Sequence, residues 1–499
     1  MSRPSTASSH TIPGDSTSAR RPIEGAMITE KADQFLVDKL DDNDPNNPKM
    51  WSQAKKWYLT MAAGMLVLNA TFASSAPGGI AQALIKEFSM SEEVATPLIW
   101  GPLSEEFGRR PIFILSFFVY MMFQIGTALA QNKATIIVLR FLGGTFAACP
   151  LTNSGAVISD IWDVKRRGIA MSVFTICPFA GPALGPCVAG FIYVSGTSWR
   201  WVFWILALFA GACWIMIILT MPETYTPILL VQRAKQLRKE TGDDRYYAPM
   251  EATKKTLSQQ VENVLARPFK MLFQEPMLLS TTLYMSFVYG CLYLLFEAYP
   301  IVFTQGHHLN AGISGLMYFP LLIGGVLAVT IYVFTFGRRY EREVERCAPN
   351  PVPPEFRLEM AMIAAPLYAL SFFWFAWTSY PSISLWAPLM SGLLNGFGIS
   401  WIFLSLFNYI IDTYLMAAAS ALAANTVIRS LFGAAFPLFA RQMYEALGPR
   451  WASSLLGFVA LGLTPIPFIF VKFGARLRER STFAPSAPPR PKESNTSSA

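Results

Sequence analysis

From Trp201 to Met221 the chain runs for 21 residues without a charge. At ~1.5 Å per residue, such a run folded as an α-helix spans a hydrocarbon layer of ~30 Å. Ten further apolar runs accompany it: Trp57–Ser75, Pro111–Ala130, Thr135–Ile158, Ser172–Val194, Met277–Phe303, Ile313–Phe336, Met360–Ser379, Leu385–Ile411, Leu415–Ala440 and Trp451–Phe473. A soluble protein has no use for so many long apolar stretches, and with 53% hydrophobic and 14% charged residues the whole chain fits a bilayer. The expectation is an all-α polytopic membrane protein with about eleven full spans.

Several functional classes are disfavoured by what is missing. Three His (His10, His307, His308) and six Cys without CxxC spacing offer no metal cluster, so neither a metal nor another cofactor is expected. No catalytic set is grouped in sequence, so an enzyme is not expected. Without a GxxxxGK[ST] loop an ATP-driven pump is disfavoured. The net charge of +8 is spread through the connections between spans, and no nucleic-acid partner is expected.

Placement of Lys and Arg sets the orientation. Lys55, Lys56, Arg109, Arg110, Lys165 to Arg167, Arg338, Arg339, Lys472, Arg476, Arg478 and Arg480 fall in segments read as inside, as do nine more in 222–276. Segments read as outside (131–134, 195–200, 304–312, 380–384, 445–450) hold at most one each. Both tails are therefore expected in the cytoplasm, which requires an even number of crossings. Eleven is odd. The conflict falls between Ser75 and Arg109, where Lys86, Glu87, Glu92 and Glu93 interrupt every apolar run.

An internal echo locates the same defect. "FGRR" occurs at Phe107–Arg110 and again at Phe336–Arg339. A full span precedes the second copy, whereas only Val94–Ser104 precedes the first. The organisation expected is a disordered cytoplasmic tail over 1–56, an N-terminal helical bundle over 57–221 with its second span truncated near 94–104, and a cytoplasmic connector over 222–276. A C-terminal bundle over 277–473 and a disordered cytoplasmic tail over 474–499 complete it. The polar start gives no cleavable signal peptide.

Three motifs, in order and at the expected spans, carry a resemblance. "GPLSEEFGRRP" (Gly101–Pro111) resembles the conserved loop of major facilitator superfamily transporters. "RFLGGTFAA" (Arg140–Ala148) resembles their arginine-bearing fourth-span motif, with Arg140 and Gly144 in place. "GPALGPCVAG" (Gly181–Gly190) resembles the motif of proton-coupled antiporters. There Gly181, Gly185, Pro186 and Gly190 match, and Ala189 replaces a usual glycine. "DPNNPKMWS" (Asp44–Ser52), "PLTNSGAVISDIWD" (Pro150–Asp163), "WRWVFW" (Trp199–Trp204), "PET" (Pro222–Thr224), "LFEAYPIVF" (Leu295–Phe303) and "ALAANTVIRSLFGAAFPLF" (Ala421–Phe439) narrow it to fungal drug:proton antiporters of the DHA1 type, the polyamine and multidrug exporters.

The resemblance implies two pseudo-symmetric six-helix bundles and proton-coupled efflux of a drug, polyamine or secondary metabolite. It further implies a monomer among membrane lipids, in the plasma or vacuolar membrane. Where that family continues its second span after "EEVAT", this chain passes from Thr96 to Pro97. The departure reads as an internal deletion, and a splice or gene-model origin is favoured. The alternative function is an inactive or mis-spliced remnant, or a sensor without transport.

Ionisable groups inside spans are costly and so mark function. Arg140, Glu297 and Arg429 are the three, and Glu105 and Arg109 join them as candidates for proton coupling or the conformational switch. For Glu297 two readings stand: a proton-responsive carboxylate, or a group facing a water-filled vestibule. Gly101, Gly108 and Gly144 are expected to serve turns and close packing. Asn395, Asn408, Asn425, Phe296, Tyr299 and Trp401 are cavity candidates, with packing between helices as the competing reading.

Overall fold

The computed structural model describes residues 35–40, 44–79, 100, 104, 107–252, 266–348, 351–479, 481 and 483. Apart from one isolated bridge, every regular element among them is helical. The elements are α1 (Gln53–Gly79), α2 (Arg109–Leu129), α3 (Lys133–Ile161), α4 (Val164–Phe174), α5 (Ile176–Val194), α6 (Arg200–Thr220), α7 (Thr226–Thr241) and α8 (Arg267–Gln274). They continue with α9 (Pro276–Tyr299), α10 (Ala311–Leu316), α11 (Phe319–Tyr332), α12 (Arg338–Cys347), α13 (Glu359–Thr378), α14 (Trp386–Tyr414), α15 (Ala418–Leu463) and α16 (Pro465–Glu479).

Among the described residues, ten segments are long and apolar enough to cross a membrane. The last, Ser420–Glu479, is two helices that meet at Gly448, whose φ of 71° no right-handed helix accommodates. The eleven expected spans are thus all present. Of the shortened second span near 94–104, Trp100 and Ser104 are among the described residues. Trp100 donates its indole N–H to the Thr145 carbonyl on α3 at 2.6 Å, and Ser104 donates to Asn153 Oδ1 at 2.8 Å. Residues 80–99, which hold the Thr96–Pro97 junction, lie outside the described residues.

Burial follows the logic of a lipid solvent. Large apolar side chains such as Leu208, Leu219 and Trp386 are among the most exposed, while Asn69, Asn153, Asn425 and many serines and threonines are buried. Hydroxyls inside spans bond back to their own helix, as Thr60 does to Lys56 O and Thr71 to Val67 O, because no water is there to receive them. Internal prolines at 150, 182, 186 and 366 are carried without ending their helices.

The chain forms two compact units. In the small one, residues 35–40 join 230–252. Leu36 bridges Tyr247, with Val37 N–H donating to Tyr247 O at 2.9 Å and Tyr247 N–H to Phe35 O at 3.0 Å. Leu230, Ala234 and Ala248 pack with Val37 and Leu40, and Arg238 pairs with Glu251. Sequence reading ran disorder through residue 56. The structure instead orders 35–40 by this pairing, and residues 48–50 form a short 3-10 helix ahead of α1.

The large unit holds all the spans. Two apolar clusters occupy its N-terminal half, built on α1, α2, α3, α5 and α6. A third, in the C-terminal half, runs through α9, α11, α13, α14 and α15, and takes in Phe179 and Ala183 from α5. Helix α5 therefore belongs to one half and packs into the core of the other.

Candidate functional site

A cavity lies where the two halves face each other. It is partly open to the outside and has a free volume of about 100 Å³. Its N-terminal wall includes Thr71 and Ser74 of α1, Tyr120 and Gln124 of α2, Arg140 and Gly144 of α3, and Phe203 of α6. Opposite stand Tyr289 and Tyr293 of α9 with Thr426, Arg429, Ser430 and Gly433 of α15. A chain of hydroxyls crosses between the halves: Tyr289 to Tyr293 at 3.1 Å, and Tyr293 to Ser74 at 3.1 Å.

Arg140 and Arg429 thus share one cavity although 289 positions separate them in sequence. The Arg140 guanidinium stands 5.9 Å from the Phe203 ring centre. Arg429 lies among three rings, 4.7 Å from Tyr289, 5.5 Å from Phe407 and 5.7 Å from Phe403. Its buried Nε has no hydrogen-bond acceptor.

At one end of the bundle, Arg109 organises a network. Its Nε lies 3.4 Å from Asp160 Oδ2, its Nη1 donates to Ser104 Oγ at 2.5 Å, and its guanidinium covers the Tyr225 ring at 4.7 Å. The N-terminus of α2 has no side-chain cap from its own residues, because Gly108 occupies that position at φ 94°. Glu223 supplies the anion instead. Its carboxylate accepts from Arg109 N at 2.9 Å and Arg110 N at 3.2 Å, and also from the Thr224 and Tyr225 amides. A Cβ on residue 108 would strike this carboxylate. The same end of the C-terminal half holds a second buried pair, Arg357 Nε to Asp412 Oδ2 at 2.8 Å, with Arg357 over the Tyr340 ring at 3.5 Å.

The motif glycines of α5 mark two close approaches. A side chain at Gly181 or Gly185 would collide with α1, whose Phe72 and Ala76 amide nitrogens stand 2.6 and 2.8 Å from the added atom. Farther along the helix, Pro186 O and Cys187 face Gly315 of α10, and Gly190 abuts Ala311. The helix is thus thinned on both sides so that it can touch its own half and the opposite one. Ala189 is fully buried, so the departure from glycine still fits.

The remaining candidates are placed elsewhere. Asn395 donates to Ser371 Oγ at 3.0 Å, Asn408 to the Leu404 carbonyl at 2.6 Å, and Asn425 to Thr282 Oγ1 at 3.4 Å. Phe296 packs on Tyr293 and Tyr318, Tyr299 stacks between Tyr318 and Phe375, and Trp401 donates to the Ala328 carbonyl at 2.8 Å. None of the six is among the described lining residues of this cavity. Glu297 is half-buried on α9, also away from that lining, with no hydrogen bond or ion pair among the described residues. Glu105 and Gly101 lie outside the described residues.

Sequence reasoning passed over Asp160 and Glu223, although both sit inside quoted motifs. It also passed over the cavity's polar pairs four residues apart: Tyr120 with Gln124, Tyr289 with Tyr293, and Thr426 with Ser430. That spacing puts both members on one face of a helix, a signal readable without a structure.

Helical halves that meet around a polar-lined cavity define an integral, multi-pass membrane protein of the transporter type. The chain belongs to the Major Facilitator Superfamily, whose sequence pattern matches residues 56–437. It is 44% identical over 459 residues to the major facilitator superfamily multidrug transporter mdrA of Aspergillus fumigatus, covering 89% of this chain and 75% of that one. To efflux pump FUBT of Fusarium oxysporum it is 40% identical over 481 residues, 93% of this chain and 80% of the relative. Among solved structures, the human organic anion transporter MFSD10 superposes with TM-score 0.58 at 16% identity, covering 86% of this chain and 100% of that chain. The proton:xylose symporter XylE superposes with TM-score 0.57 at 17% identity, covering 85% and 96%.

Proposed function

We propose that the chain is a secondary transporter that exports small organic molecules across a membrane in exchange for protons. The observation that carries this reading is a cavity walled by both halves, lined by polar groups and by two arginines that lie within spans. Relatives named multidrug transporter and efflux pump over nearly the whole chain support export as the direction.

In this proposal the bundles 57–221 and 277–473 are the moving halves. The tails and the 222–276 connector face the cytoplasm, as the arginines and lysines favour, in the plasma or vacuolar membrane. One chain suffices, because the cavity is complete within it. The pairs at Arg109 and Arg357 hold one facing of the molecule, and Arg140 and Arg429 sense the cavity's occupant. Glu297, half-buried and with no hydrogen bond or ion pair among the described residues, takes up the proton.

Purified protein in liposomes with an imposed pH gradient tests this. Efflux of a fluorescent organic solute should rise with the gradient, fall when an uncoupler collapses it, and lose that stimulation in Glu297→Gln. Equal efflux with and without the gradient would exclude proton coupling. No efflux under either condition would favour the inactive remnant instead.

A further inference from the structure

We infer that Arg429 anchors the negative group of an organic anion, a carboxylate or sulfonate on a flat ring system, in the central cavity. This names the cargo class of the site and rests on the transporter reading.

An arginine cannot shed its charge, and in a membrane interior it is normally matched by a carboxylate. Among the described residues Arg429 has none: its neighbours are the rings of Tyr289, Phe403 and Phe407, and its Nε points at no acceptor. Rings stacked on a guanidinium stabilise the cation through its face. They leave its in-plane N–H fork available, and that fork matches the two oxygens of a carboxylate.

The rest of the wall agrees with an anion. Ser430 stands next to Arg429, the Tyr289 and Tyr293 hydroxyls are close by, and no Asp or Glu is among the described lining residues. Arg140 adds a second positive charge to the same cavity. A polyamine or other organic cation entering here would meet the Arg429 guanidinium and no carboxylate among the described lining residues. An aromatic acid would find a fork for its head and rings for its body.

The test uses two permanently charged, two-ring probes, 2-naphthalenesulfonate and N-methylquinolinium, which do not cross bilayers as neutral species. Equilibrium dialysis of the full chain in detergent should show saturable sulfonate binding, weakened more than about tenfold by Arg429→Gln. Arg429→Lys, which keeps the charge and removes the fork, should weaken it by a smaller factor. Should the glutamine variant not fold, the lysine variant decides. Tighter binding of the quinolinium, or sulfonate affinity unchanged in the variants, overturns the inference.

Liposome transport of the same probes separates the two levels. Sulfonate binding without transport of either probe would leave the anchor standing and remove the export reading. Transport of the quinolinium alone would keep export and remove the anchor.

Discussion

Set side by side, the two halves of the large unit solve one problem with different parts. Each buries an arginine at the start of a span against an aspartate at the end of the next one. Arg109 and Asp160 are 6% and 18% exposed, Arg357 and Asp412 5% and 16%, so the desolvation is nearly equal. Each arginine also lies on a tyrosine, Tyr225 or Tyr340. The distances differ: 3.4 Å in the first pair and 2.8 Å in the second. In the N-terminal half the aspartate shares its arginine with Ser104, and Glu223 holds the adjoining backbone. In the C-terminal half Asp412 makes the closer carboxylate contact, with Tyr332 and Tyr340 beside the same guanidinium. Matched burial with unmatched partners means the halves should fail differently when each carboxylate is removed.

The largest effect is expected at Asp412→Asn, which takes the close carboxylate from a buried guanidinium. Loss of one partner from such a pair costs about 3–5 kcal/mol, to be read as a collapsed melting temperature in fluorescence-detected size-exclusion chromatography. Asp160→Asn should cost less, about 1–3 kcal/mol, since Arg109 keeps Ser104 and Tyr225. A loss at Asp160 equal to that at Asp412 would break the contrast. Glu223→Gln should follow at about 0.5–2 kcal/mol, the usual worth of a helix cap and its charge. It should depend on salt more than either aspartate does.

The smallest effect belongs to the small unit. Asp243 is held below its ordinary carboxylate value of 3.8 by hydrogen bonds from the Arg245 side chain and backbone, and it is partly exposed. A carboxylate lowered on folding stabilises above its unfolded value and loses that contribution as pH falls through the folded one. Asp243→Asn should therefore be barely destabilising at neutral pH, and the difference from the parent should vanish in acid below the ordinary carboxylate range. A difference that persisted there would show that Asp243 acts through something other than its charge.

How much of this was legible in the sequence varied with the kind of residue. The spans were plain because a charge-free run of bilayer length has few other uses. The "FGRR" echo pointed at Arg338 and Arg339. In the structure the counterpart of Arg109 is Arg357, because α12 intervenes in the second half and pushes the pairing arginine to the start of the next span. Arg339 pairs instead with Glu359 at 3.0 Å.

Cavity residues were harder. The isolated asparagines drew attention because they are conspicuous in apolar helices, but they bond to Ser371, Thr282 or their own backbone. In lipid both the outward face and the packing face are apolar, so hydropathy does not say which side meets the cavity. Arg140 and Arg429 were found because charge alone singles them out.

Gly448 has a consequence of its own. The reversal between the last two spans is made at that one glycine, with Pro449 directly after it, so almost no chain is left to stretch. Arg429 stands nineteen residues earlier, ~28 Å of helix away. Neither span can slide along the membrane normal without dragging the other. The final span presents Trp451, Leu455 and Phe458 outward. Its fit to the thickness of the surrounding lipid therefore sets the depth at which the cavity's positive charge is held, and a thinner or thicker bilayer would shift that depth like a ruler moved against its edge.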